Sequence, residues 1–160
     1  MTSAWRRLRP FSACLPLALA GCATLGGIGK PASDEEAIRA LGLRYLMSLR
    51  PRQGLFEVRV EGGDPSPALL ARLSAHGEIE TLDARTLRVT PAAFRPGFEP
   101  GAPAILELGP IREAPDGSRV VQGIHRAAGE GDAVCPLTFV RGGSGWGITR
   151  VDAPGCRPRP

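Results

Sequence analysis

The chain has 160 residues and a formal charge of +4, a length that suits one domain with a modest core and is too short for two comfortable ones. Three of its 20 cations and none of its 16 acids lie in residues 1–21, so the remaining 139 residues carry 17 cations against 16 acids, interspersed along the chain. A nucleic-acid partner needs a clustered basic footprint; there is none, and no such partner is expected.

The chain opens with Arg6, Arg7 and Arg9, followed by residues 11–20, which are apolar apart from Ser12 and broken only by Pro16. A positive region followed by about ten apolar residues is an export signal, too short for a bilayer that takes about twenty. It ends in Leu19-Ala20-Gly21-Cys22, which resembles the lipobox of bacterial lipoproteins. The resemblance covers residues 1–22. It implies that a lipid is attached to the Cys22 thiol and that residues 1–21 are cut away as a signal peptide. The family pattern of a diacylglyceryl group plus an N-acyl chain implies permanent attachment, because one acyl chain binds a membrane only marginally and two hold stably. The competing reading is an ordinary secretory signal with a chance cysteine at its end. Ala23 follows the cysteine, where Asp would retain many such proteins at the inner membrane. The resemblance therefore implies a lipid-anchored envelope protein, at the periplasmic face of the outer membrane if the source is Gram-negative.

Residues 22–32 combine the lipidated cysteine with a Gly-rich, nearly uncharged tether. Gly29-Lys30 does not make a phosphate loop, which wants Gly in place of Thr24 and Ser or Thr in place of Pro31. A single domain is expected over 33–156. Ser33-Asp34-Glu35-Glu36 is a capping box with three acids at the positive end of a helix. Ala37, Leu41, Tyr45 and Ser48 follow one stripe of that helix, widened by Ile38, Leu43, Leu46 and Met47, with Arg39, Arg44 and Arg50 off the stripe or at its end. The helix should stop near Leu49, before Pro51. Phe56, Val58 and Val60 then alternate with charged residues as a half-buried strand. Ser66-Pro67 opens a short second helix carrying Leu69, Leu70 and Leu73.

Residues 79–82 and 87–89 read as short strands, and 91–103 as a Pro-rich loop whose Phe94 and Phe98 pin it to the core or grip a ligand. The last third reads as an antiparallel meander: 105–111, the turn Pro115-Asp116-Gly117-Ser118, 119–125, a further turn, then a hairpin reversing at Gly142-Gly143-Ser144-Gly145. Leu137, Phe139, Trp146 and Ile148 should face one side. Of four cysteines, Cys14 leaves with the signal and Cys22 is consumed by lipid, which leaves Cys135 and Cys156 as the expected disulfide in an oxidising compartment. A hairpin turning between Gly143 and Ser144 puts Cys135 opposite about Asp152, and Pro154-Gly155 can curl the remainder back. Residues 157–160 form a basic tail.

No residue pattern carries chemistry. His76 and His125 are the only histidines, without ligand spacing, so no metal or cofactor is expected. Ser144 lacks the Gly that a nucleophile elbow wants at Trp146. Glu78 and Glu80 share an exposed strand face, and Glu35 and Glu36 cap a helix; neither pair has the unequal surroundings that acid and base roles need.

The mature domain also resembles a group of uncharacterised secreted bacterial proteins in Gly62-Gly63-Asp64-Pro65-Ser66-Pro67, in Leu69-Leu70-Ala71-Arg72-Leu73 and in Gly145-Trp146; the group carries no activity to transfer. Element order predicts an α+β fold, an N-terminal helix on a curved antiparallel sheet of five or six strands with a short second helix, broadly like cystatin or nuclear-transport-factor-like architectures. The functional expectation is a non-enzymatic binding or assembly module contacting another envelope protein, a peptide or the cell wall. One alternative is a small-ligand or enzymatic domain using a cavity between helix and sheet. Filling of that space by Tyr45, Phe56, Phe139 and Trp146 would remove this alternative, and an open pocket lined by Arg or Glu would favour it. A dispensable structural or stress-related role is the other.

Overall fold

In the computed structural model the Ser33 hydroxyl accepts a hydrogen bond from the Glu36 amide at 3.2 Å, and helix α1 runs Asp34–Ser48 with Asp34, Glu35 and Glu36 in its first turn. The described residues are 33–50, 53–90, 101–127, 131–151 and 156, all within the unit Pro31–Pro160. The export signal, the lipobox with Cys22, the tether, Phe94, Phe98, Pro154-Gly155 and the tail lie outside them.

The buried face of α1 is not centred on the expected stripe. Ser48 is exposed and Tyr45 half-buried, while Ile38, Gly42, Leu43, Leu46 and Met47 are buried. Gly42 explains the rotation. A Cβ there would already stand 3.4 Å from Leu108 and Phe139, so the missing side chain lets the helix seat against strand residues from two different parts of the chain. Helix α2, Pro67–Ser74, buries Leu69, Leu70 and Leu73. Its cap Ser66 accepts from the Leu69 amide at 3.1 Å and lies 3.4 Å from the Glu36 carboxylate, which ties the start of α2 to the start of α1.

The eight strands are β1 Leu55–Val60, β2 Ile79–Thr81, β3 Thr86–Val89, β4 Ala104–Leu108, β5 Arg112–Glu113, β6 Arg119–Arg126, β7 Ala133–Gly142 and β8 Gly145–Val151. They form one sheet in the order β2-β3-β1-β4-β6-β7-β8, with β5 also on β6. The class is α+β. Two sequence expectations are corrected: the strands number eight rather than five or six, and β1 and β4 run parallel, from Phe56↔Ala104 to Val60↔Leu108. Parallel neighbours need a crossover of a dozen residues or more. The chain between them supplies one, carrying α2, β2 and β3, and β3 takes the other edge of β1 in antiparallel register.

The strand expected over 105–111 is broken. The Gly109 amide makes the last ladder bond, to the Gln122 carbonyl at 2.8 Å, and Pro110 has no amide with which to continue it. The chain resumes pairing in β5. Gly117 turns β5 into β6 at φ 80°, a conformation that suits Gly, and the Asp116 carboxylate accepts from the Ser118 amide at 2.9 Å.

A register shift between Thr138 and Phe139 separates Phe139↔Ile148 from Thr138↔Arg150, leaving Thr149 as the extra residue. Without it Trp146, Ile148 and Arg150 would share the inner face. With it Arg150 is exposed and Val151 turns inward, a bulge that exchanges a cation for a core contact. Cys135 and Cys156 form a disulfide with Cα atoms 5.5 Å apart; both are buried. The Tyr45 hydroxyl on α1 donates to the Cys156 carbonyl, so the end of the domain is held both to β7 and to the helix.

The core lies between the helices and one face of the sheet. Phe56, Phe139, Leu43, Leu46, Leu106 and Leu108 are at most 1% exposed. At Gly123 on β6 a Cβ would stand 3.1 Å from both Leu46 methyls and 3.3 Å from the Cys135 carbonyl oxygen.

On the opposite face arginines bridge strands and loops. Arg126 reaches Asp132 at 2.8 Å and Glu107 at 3.3 Å, and Arg59 reaches Glu57 at 2.7 Å. Such exposed pairs contribute about 0–1 kcal/mol each. The fork of a guanidinium nevertheless suits bridging two carboxylates, a use for the Arg-rich composition.

Candidate functional site

The space between α1 and the sheet is filled over most of its length, by Leu46 over Gly123 and by Leu108 and Phe139 against Gly42. It opens at the end of α1. There the helix stops, the chain turns into β1, and β2 and β3 flank it, leaving a cleft of about 280 Å³. Met47, Phe56, Ile79 and Val89 supply its apolar surface. Arg44, Ser48, Arg50, Gln53 and Glu78 supply polar groups.

Three of the polar side chains, those of Arg44, Ser48 and Gln53, are placed by backbone carbonyls. Arg44 Nη2 donates to the Leu73 carbonyl at the end of α2, at 2.9 Å, so the second helix orients this guanidinium. Gln53 Nε2 donates to the Leu55 and Ala102 carbonyls at 3.0 and 2.9 Å, clasping the starts of the parallel pair. The last turn of α1 has its carbonyls occupied: Ser48 Oγ donates to Tyr45 O at 2.6 Å, and the Leu49 and Arg50 amides donate to Leu46 O and Met47 O at 3.2 and 3.0 Å. Those bonds soften the negative end of the helix dipole. Among the described residues the lining holds the cations Arg44 and Arg50 and the carboxylate of Glu78.

Of the residues weighed in the sequence for chemistry or for filling the cavity, Glu78 and Phe56 belong to the cleft. Glu80 pairs with Arg88 at 3.2 Å, and Glu35 lies 3.7 Å from Arg39. His76 is exposed beyond α2, and Ser144 is exposed in the β7–β8 turn. Tyr45 is engaged with Cys156. Among the described residues no group of three or more His, Cys, Asp or Glu could hold a metal ion, and no helix is long and apolar enough to cross a membrane. Arg44, Arg50 and Gln53 were missed as site residues, because helical periodicity assigns the arginines to solvent and Gln53 falls in the segment after the helix. The one available signal was an arginine in α1 and another just beyond its cap, before Pro51.

His125 is the buried ionisable group. It points inward from β6, 2% exposed, and its Nε2 has no hydrogen-bond partner among the described residues. Burial, and secondarily the Arg50 charge, hold its pKa below the ordinary value of 6.5. The unfolded chain therefore binds a proton that the folded chain refuses. Stability is fully present above about pH 6.5 and is lost as pH falls toward the lowered folded value. Asp83 and Asp116 are shifted down from 3.8 and act only in stronger acid. Urea unfolding is thus expected to show lower stability at pH 5 than at pH 7.5, and His125→Phe should flatten that difference; an unchanged slope in the variant would assign it to another group.

No family model, curated protein or solved structure matches the chain.

Proposed function

We propose that this protein is a lipid-anchored domain of the bacterial cell envelope that binds a small ligand, without transforming it, in the cleft at the end of α1. The observation that carries the reading is the cleft: an apolar surface supplied by α1, β1, β2 and β3, with Arg44 on α1 and Arg50, Gln53 and Glu78 on the connecting segments in the same lining. Pockets that bind small molecules have this composition, mostly apolar with a few placed polar groups. The anchor rests on the resemblance of Leu19-Ala20-Gly21-Cys22 to a lipobox; lipid on Cys22 and the tether over 22–32 would hold the domain near a membrane with freedom to turn. The proposal includes the layered architecture, α1 laid across a curved sheet in the broad manner of cystatin and nuclear-transport-factor-like folds.

The test is to purify the native protein from membranes beside Val89→Trp, whose indole would occupy the cleft, and to compare the small molecules each releases. A compound enriched with the native protein and missing from a folded variant supports the proposal, and identical profiles count against it. A second reading is docking of another envelope protein or the cell wall on the open sheet face. It is favoured by Val134 and Val140, both on β7 and each 43% exposed. Cross-linking from Val140 to a single envelope partner, with cleft contents unaffected, would favour that reading.

A further inference from the structure

We infer that the ligand of the cleft is a compact monocarboxylate with an apolar body, its carboxylate held by Arg44. The inference rests on the cleft being a ligand site. Its size sets the first limit: about 280 Å³ lies just below the range of about 300–1,000 Å³ usual for ligand pockets, too small for a phospholipid or a nucleotide. Its chemistry sets the second. Met47, Phe56, Ile79 and Val89 reward an aliphatic or aromatic body and leave a sugar or an inorganic ion unmatched.

Charge sets the third. A guanidinium has five N–H donors in a rigid fork suited to carboxylates. In Arg44 one bond, to the Leu73 carbonyl, fixes the orientation of that fork while most of its donors remain for other acceptors. Glu78 adds one negative charge to the same lining. The oriented fork of Arg44 favours a carboxylate over a cation, and Glu78 disfavours the higher charge of a phosphate monoester. The helix end does not reverse this, because the carbonyls of Tyr45, Leu46 and Met47 already accept hydrogen bonds.

The test titrates the full mature protein, followed by amide NMR shifts, with 4-methylpentanoate, 4-methylpentanamide, 3-methylbutylamine and inorganic phosphate. The acid should bind at least about tenfold tighter than the amide, as charge-assisted hydrogen bonds imply, with shifts clustered at Met47, Ile79 and Val89. Arg44→Gln should reduce the acid to the affinity of the amide and leave the amide unchanged, a pattern that mere loss of the Leu73 contact would not produce. Arg44→Lys should restore part of the preference. If Arg44→Gln does not fold, Arg44→Lys must still narrow the gap between acid and amide. Equal binding of acid and amide, or tighter binding of amine or phosphate, overturns the carboxylate assignment while leaving the cleft a ligand site. Absence of binding by all four, with native and Val89→Trp proteins releasing the same small molecules, overturns both.

Discussion

Replacing Cys135 and Cys156 together by alanine should lower the free energy of unfolding by about 3 kcal/mol and the melting temperature by about 10–15 °C. The bridge closes a loop with a sequence separation of 21, for which the chain-entropy relation gives about 3 kcal/mol, and a domain of this size loses a few degrees per kcal/mol. Aromatic residues make up only 5% of the sequence, so the core has few large side chains with which to offset the loss. The effect extends beyond the bond itself. Cys156 carries the carbonyl that accepts from Tyr45, so opening the bridge frees the end of the domain from α1 as well as from β7. Thermal unfolding followed by circular dichroism, with and without reductant, should give similar losses for reduced native protein and for the double variant. Coincident melting curves would show that the bridge contributes nothing to stability.

Gly123→Val should destabilise by about 3 kcal/mol or more. The first added carbon already meets both Leu46 methyls at 3.1 Å and the Cys135 carbonyl at 3.3 Å. The leucine can shift, whereas the carbonyl belongs to the neighbouring strand, paired at Gly123↔Cys135. Overpacking a filled core typically costs about 1–3 kcal/mol, and valine adds two further methyls beneath Leu46. The pairing is testable by a double-mutant cycle. Leu46→Ala alone should cost about 2–5 kcal/mol, and combined with Gly123→Val it should cost clearly less than the two singly, because each change relieves the other. Additive losses in urea titration would mean that Leu46 does not lie over Gly123.

Elements with local causes were legible in the sequence. Ser33 and Ser66 each precede a helix and accept the amide three residues on, and the alternation of Phe56 and Val58 with charged residues marks β1. What was lost depends on residues far apart. The parallel pairing of β1 with β4 leaves no turn signal, since a long crossover separates the strands. Gly42 turned the buried face of α1 through contacts with Leu108 and Phe139, which no helical period contains. The break between β4 and β5 is marked by Pro110, and the bulge in β8 by the phase change from Ile148 to Val151; alternation of apolar and polar residues alone passes over both. The cleft draws on α1, β1, β2 and β3, so no spacing along the chain announces it. Arg44 and Arg50 resembled solvated cations until α2 and the strand ends were placed around them.

Whether this domain works at a membrane surface is decided by intact mass spectrometry of the protein extracted from membranes. The expected species has the mass of residues 22–160 plus acyl chains on Cys22, and gains two hydrogen atoms on reduction as the Cys135–Cys156 bond opens. An unacylated species would contradict lipid anchoring and leave a freely diffusing binding domain, and an acylated one that takes up no hydrogen would contradict the bridge.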